Sequence, residues 1–413
     1  MFWRKSIIFG RNARFRPGFP NCLAAPLFPA APRRLVVLLA SVLKPVDDTR
    51  MYEKFARTLA AEPGLEVHVA GRAAGSPPRA GLAGIGQHVL FRGSRLSLAR
   101  LRAQLGYWQV LSRVQPDVVV VHAPELLPLT LLWQKLGRQR RFLYDVRENY
   151  ALNIQTQQVY PAWVRGLLAR FVRGLETFAA KRASQVLLAE QSYADELPFA
   201  TAGRTVILEN KYQPPPGNPT LVSSRPPLPG PGEPLRLLFS GTISELTGIR
   251  EAVDFALALR TGWPGLELTI IGFCQQSATL AYLREAGARH ASWLRIVGGE
   301  VLVPHDEIIR EIGRSHAGLL PYRPHPSSWR CIPTKLYEYL ASGLPVLIPE
   351  NPLWQEITDR NEAGFPVAFG EELVVEPIIK RLAGRRFYPR GIPADALWST
   401  EGRRLSAVFD QLR

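Results

Sequence analysis

Lys335 and Glu338 stand three residues apart in the segment PTKLYEYLASGLPVL, residues 333–347. Pro333 suits a helix entry, and Leu336, Tyr339 and Leu340 recur with helical spacing. Gly343 and Pro345 then end the helix before an apolar strand. Lys335 falls in the first turn, where free N–H groups and the helix dipole already favour an anion. Glu338 shares its face, and a carboxylate beside an anion site needs a reason. One reading is a surface Lys–Glu pair, worth about 0.3 kcal/mol. The other is a ligand that carries both a phosphate and a diol.

The elements that must hold these side chains alternate between β and α from Arg33 onward. Near-continuous apolar runs predict strands at 35–42, 65–70, 87–91, 117–122, 141–146, 184–189 and 204–208. After the segment 213–234, in which nine of 22 residues are proline, strands resume at 235–240, 266–271, 294–297, 317–321, 345–348 and 365–369. Helices are expected at about 249–260, 276–289, 305–314, 334–341, 352–360 and 371–383. Strands apolar on both faces belong to parallel sheets covered by helices. The fold class is therefore α/β, with two doubly wound Rossmann-like domains facing across a cleft. The expected divisions are a disordered basic tail at 1–32, a first domain at 33–212, a semi-rigid proline-rich linker at 213–234 and a second domain at 235–387. The C-terminal helix within 388–413 is expected to pack back onto the first domain.

Ligands of such sheets bind beyond the C-terminal strand ends. His122, Arg147, Glu148 and Asn210 fall there in the first half. In the second half the same edge carries Ser240–Thr242, Gly272, Gly298–Gly299 and the PYRPHP segment, 321–326.

Composition narrows the class. The 413 residues carry a net charge of +16, and residues 1–34 hold seven Lys/Arg and no acid. That excess fits solubility, or attraction to an anionic membrane surface or anionic substrates. No nucleic-acid-binding motif accompanies it. Cys22, Cys274 and Cys331 are far apart, which points to a reducing compartment. No apolar run reaches the ~20 residues of a bilayer span. Trp163, Leu167, Phe171, Leu175 and Phe178 recur at helical spacing among Arg165, Arg170, Arg173, Lys181 and Arg182. This reads either as a core helix with a solvated basic face, the commoner case, or as a membrane-surface helix. The expected location is cytoplasmic, peripheral on the inner face of the membrane.

The segment 333–347 resembles the signature of a branch of glycosyltransferase family 4, retaining enzymes of GT-B architecture. LRLLFSGTISELTGIREAVDFA, 235–256, resembles the opening of their donor domain. DDTRMYEKFARTLA, PDVVVVHAPELLPLTLLWQ and LYDVRENY are similar to their acceptor domain. The resemblance covers roughly residues 33–385. It implies transfer of a sugar from a nucleotide-diphosphate sugar to an acceptor hydroxyl, with retention and no metal or other cofactor. The acceptor would be a polysaccharide, lipopolysaccharide or lipid-linked glycan.

By this resemblance Lys335 contacts phosphate and Glu338 the ribose. Gly241, Thr242, Gly272, Val297 and Gly299 complete the donor side with Tyr322, Pro333 and Thr334. His122 would act beside the reacting sugar, with Glu125, Arg147 and Glu148 on the acceptor side; Glu125 reads equally as a first-turn acid. Three departures stand out, the first being that the Arg and Lys many members carry after the first donor-domain strand are reduced to Arg250 in SGTISELTGIR, 240–250. The first of the family's two glutamates falls on Cys331, and the aspartate that often follows the histidine is Ala123. A nucleotide-sugar epimerase on the same fold, or a non-catalytic nucleotide-sugar-binding protein, is the alternative.

Overall fold

The computed structural model describes residues 34–74, 84–93, 99–156, 160–215, 225–370 and 373–413. The tail expected at 1–32 lies outside them, as do 216–224 of the linker.

The chain builds two all-parallel sheets. The first contains β1 (Leu35–Pro45), β2 (Leu65–Arg72), β3 (Ile85–Phe91), β4 (Val118–Val121), β5 (Arg141–Val146), β6 (Gln185–Leu188) and β7 (Thr205–Ile207). Their order is β3-β2-β1-β4-β5-β6-β7. The second contains β8 (Leu235–Ile243), β9 (Leu266–Cys274), β10 (Leu294–Gly299), β11 (Ala317–Leu319), β12 (Val346–Ile348) and β13 (Gly364–Pro366). Their order is β10-β9-β8-β11-β12-β13. Each sheet is doubly wound, with its direction of winding reversing between β1 and β4, or between β8 and β11. A crevice forms at such a reversal, outside the carboxyl ends of the strands.

The apolar runs are buried as their composition requires. Val118, Val119, Val120 and Val121 have no exposed surface. Opposite faces of the first sheet hold separate cores, one around Leu38, Val119 and Tyr144, the other around Val37, Val118 and Phe55. The C-terminal helix Trp398–Asp410 adds Trp398, Leu405 and Phe409 to the latter core. There Trp398 Nε1 donates to Thr58 Oγ1 at 2.9 Å, and Lys211 pairs with Glu401 at 2.7 Å.

Two sequence expectations change. β8, β9 and β10 run further than their apolar segments, because the glycines read as turns pair within the strands. The described end of the proline-rich segment is also packed. Leu228 is buried, and the Arg225 guanidinium donates to the carbonyls of Ile312, Ser315 and Ser342 at 2.7–3.1 Å. Helix ends leave such carbonyls without intrahelical partners, and a planar cation serves several at once.

The helix Ala162–Ala180 buries Ala169, Glu176, Ala179 and Ala180. Glu176 accepts from Tyr144 Oη at 2.8 Å, and burial pushes its carboxyl up to about 7. Between the usual 4.5 and about 7 the folded protein holds a proton that the unfolded chain has lost. Stability contributed at this site therefore falls as pH rises through that window. Melting temperatures of the parent and Glu176→Gln, compared from pH 4.5 to 8, should show the parent losing ground to the variant as pH rises. Parallel curves would contradict the assignment.

Candidate functional site

The second sheet ends in a row of glycines. Gly241 of β8, Gly272 of β9 and Gly298 of β10 stand in register. A Cβ on Gly272 would lie 1.7 Å from the Gly241 carbonyl oxygen, and one on Gly298 would lie 2.4 Å from that of Gly272. Only bare backbone fits there. A Cβ on Gly241 would lie 3.2 Å from Lys335 Cε and 3.8 Å from Nζ. The glycine edge and the lysine of the Thr334–Ala341 helix are therefore brought together. Thr242 is exposed at this edge, Gly299 is buried, and Val297 and Tyr322 are half-buried.

Pro333 caps the Thr334–Ala341 helix and offers no side-chain acceptor to its first-turn N–H groups. The Lys335 ammonium pairs with Glu338 Oε2, and His305 Nε2 meets Oε1. This is not a surface pair, since the two side chains are only 14% and 6% exposed. Burial alone would raise the Glu338 pKa. The Lys335 charge and the hydrogen bond to His305 outweigh it and bring the carboxyl down to about 2. An ionised carboxylate has about four lone-pair positions. Two partners leave room for two further donors, as a vicinal diol would supply.

On the first sheet, His122 follows β4 and is wholly buried. Its Nδ1 meets Asp145 Oδ2 at 2.7 Å, and Arg50 donates to the same carboxylate from Nε at 2.9 Å and Nη2 at 2.7 Å. Burial would raise the Asp145 pKa, but Arg50 and His122 together hold it below the usual carboxylate range. Asp145 can then only accept, so His122 carries its proton on Nδ1. Burial lowers the imidazole's pKa despite Asp145, which leaves the ring neutral with a bare Nε2. That buried nitrogen has no hydrogen-bond partner among the described residues.

Arg147 does not stand free on the acceptor side; its guanidinium grips both oxygens of Asp48 at 2.7 and 3.2 Å. Glu148 accepts from Asn153 at 3.0 Å. Glu125 lies in the first turn after β4, where its carbonyl accepts from Gln104 at 3.2 Å. Lys54 is buried against Asn210. Burial, then Arg50 and Arg147, push its pKa well down, opposed by Asp48 and by Glu338 of the Thr334–Ala341 helix. Arg50, Lys54, Asp145 and His305 were not singled out in the sequence. The available signal was the i, i+4 pairing of Arg50 and Lys54 just beyond β1, and an aspartate inside an apolar strand.

The loop before the Thr334–Ala341 helix is fastened to the first sheet. Ile332 N donates to Glu190 Oε2 at 2.9 Å, Arg330 pairs with Asp195 and Glu196, and Cys331 Sγ lies 3.7 Å from Tyr193 Oη. Burial raises the Glu190 carboxyl to about 8; burial and then Glu190 raise the Cys331 thiol to about 12. A carboxyl group from the segment after β6 thus adjoins the position where the sequence has cysteine. Among the described residues, no three His, Cys, Asp or Glu side chains are grouped to hold a metal ion.

No family model matches the chain. The amylovoran biosynthesis glycosyltransferase AmsK of Erwinia amylovora is 28% identical over 152 residues, 37% of this chain and 36% of that protein. The match thus spans about a third of the curated relative's length. Sucrose-phosphate synthase from Thermosynechococcus elongatus superposes over 92% of this chain and 99% of its own, with a TM-score of 0.65 at 15% identity. HepE from Anabaena, solved with UDP-glucose, superposes over 92% of this chain and 100% of its own, with a TM-score of 0.57 at 14% identity. With its two parallel sheets and their helices, the chain has the two-domain GT-B architecture.

Proposed function

We propose that the protein is a retaining glycosyltransferase that moves a sugar from a nucleotide-diphosphate sugar to an acceptor hydroxyl. The observation that carries this reading is the ionised, buried Glu338 on the helix whose first turn lays Lys335 over the glycine edge. The likeness to a biosynthetic glycosyltransferase, and to a fold solved with UDP-glucose, supports the reaction class.

Donor recognition belongs to 235–387 and acceptor recognition to 33–212 with 388–413. The backbone at Gly241, Gly272 and Gly298 lets the diphosphate approach closely. Lys335 and the helix N-terminus carry its negative charge without need of a metal. Glu338 takes the two ribose hydroxyls. In the reaction the bond from the anomeric carbon to the diphosphate oxygen breaks, and a bond to the acceptor oxygen forms on the same face. The acceptor proton passes to the leaving phosphate. His122, its ring fixed by Asp145 and Arg50, keeps Nε2 unprotonated as an acceptor for a sugar hydroxyl once donor binding uncovers this buried atom. The acceptor is a carbohydrate or lipid-linked glycan, and the reaction takes place at the cytoplasmic face of an anionic membrane.

A thermal-shift screen against UDP, GDP, ADP and their sugars tests the donor site. A ligand at 100 times its Kd adds about 2.7 kcal/mol of stability. At least one base should raise the melting temperature, and its loss in Glu338→Ala locates the site. No shift with any of them would overturn the reading.

A further inference from the structure

The helix Ala162–Ala180 turns its large side chains the wrong way for a core helix. Small residues, Glu176 and the half-buried Leu175 face the protein, while Trp163, Leu167, Phe171 and Phe178 are 80%, 62%, 68% and 51% exposed. Trp163, Leu167 and Phe171 follow at i, i+4 and i+8, and Phe178 extends the row to about 22 Å. Arg170, Lys181 and Arg182 are exposed beside them, and Arg182 lies over the Phe178 ring at 3.6 Å. The helix contains one acid, Glu176, and it is buried. The core-helix expectation thus holds for Leu175 and is corrected for Trp163, Leu167, Phe171 and Phe178.

An apolar row of this size on one helix marks an interaction surface. We infer that this face docks on an anionic bilayer, with the helix lying in the interface plane. The charge argues for lipid rather than a second copy of the chain. A two-fold contact through this face would gather Arg170, Lys181 and Arg182 of both copies into one interface, with no exposed acid on the helix to neutralise them. An interfacial helix, by contrast, pairs an inserted aromatic row with basic flanks at the headgroups. No helix among the described residues is long and apolar enough to cross a membrane.

A cavity of about 710 Å³ adjoins the row, lined by Asn149, Gln155, Arg170, Arg173, Thr177 and Lys181. Arg173 is tied into this wall: its Nη2 donates to Asn149 Oδ1, and its Nη1, which makes no hydrogen bond among the described residues, lies 3.7 Å from Glu176 Oε2. Three cations around an open cavity at the headgroup level form a seat for a lipid phosphate. The docking stands on this surface alone. What it says of the acceptor, a bilayer-anchored amphiphile with an anionic head, rests on the transferase reading.

The test is co-sedimentation of the full chain with phosphatidylcholine vesicles containing about 30% phosphatidylglycerol, and with phosphatidylcholine alone. The parent should partition onto the anionic vesicles and poorly onto the neutral ones. Trp163→Ser/Leu167→Ser/Phe171→Ser changes only exposed side chains and no charge, so it should fold normally and lose binding at least tenfold. Arg170→Gln/Lys181→Gln/Arg182→Gln should lose binding and most of its salt dependence. Equal binding by the serine variant would overturn the proposal, because attraction would then come from elsewhere in this basic chain. So would absence of binding by the parent, or a parent dimer in analytical ultracentrifugation that the serine variant abolishes. The nucleotide thermal shift should be the same in parent and serine variant. Loss of that shift with vesicle binding intact would count against the donor site and leave the docking standing.

Discussion

Lys335→Ala lowers kcat/KM for sugar transfer by about two to three orders of magnitude, the cost of removing one preorganised charge from a leaving group. Lys335 is the cation laid over Gly241, where the proposed diphosphate would sit. Its loss also leaves Glu338 with His305 alone, so the carboxyl rises from about 2 and the fold loses stability. Melting curves measured beside the kinetics separate the two effects. Lys335→Arg, which keeps the charge, should recover part of the activity. A rate within threefold of the parent in a folded Lys335→Ala variant would remove Lys335 from the chemistry.

Glu338→Ala weakens nucleoside-diphosphate binding by about 1.5–3 kcal/mol, or about 10- to 150-fold in Kd, the usual worth of hydrogen bonds to a charged group. Isothermal titration calorimetry reads this directly. The folded-state pKa is depressed to about 2 from 4.5. The carboxylate's contribution to stability is therefore complete above about pH 4.5 and lost only as pH falls through about 2. Glu338 should impose no pH dependence on donor binding between pH 5 and 8. Unchanged affinity in the variant would sink the ribose assignment.

Much of the architecture was legible because parallel strands buried on both faces must be continuously apolar. Every expected strand forms within a few residues of its predicted place. The helix Thr334–Ala341 was legible too, since Pro333, the apolar period and Gly343 fix its ends locally. What was not legible depends on contacts distant in the chain. The carboxylate that fixes His122 is Asp145, 23 residues on, and it needs Arg50, 95 residues back. His305 reaches Glu338 across 33 residues, and Glu190 reaches Ile332 across 142. No local period announces such pairs. The helix Ala162–Ala180 misleads for a related reason. Its apolar spacing suits a core face or an exposed one, and only the packing of Ala169, Ala179 and Ala180 against the protein decides between them.

The central claim is transfer from a nucleotide-diphosphate sugar at the Lys335–Glu338 site. The most direct measurement is incubation of the full chain with UDP-, GDP- and ADP-sugars in excess EDTA, following nucleoside-diphosphate release and the fate of the labelled sugar. The account predicts that one donor is turned over, with the sugar passed to an acceptor or slowly to water, and that turnover collapses in Lys335→Ala. Epimerised sugar nucleotide, binding without turnover, or activity that vanishes in EDTA and returns with Mg²⁺ or Mn²⁺ would contradict it.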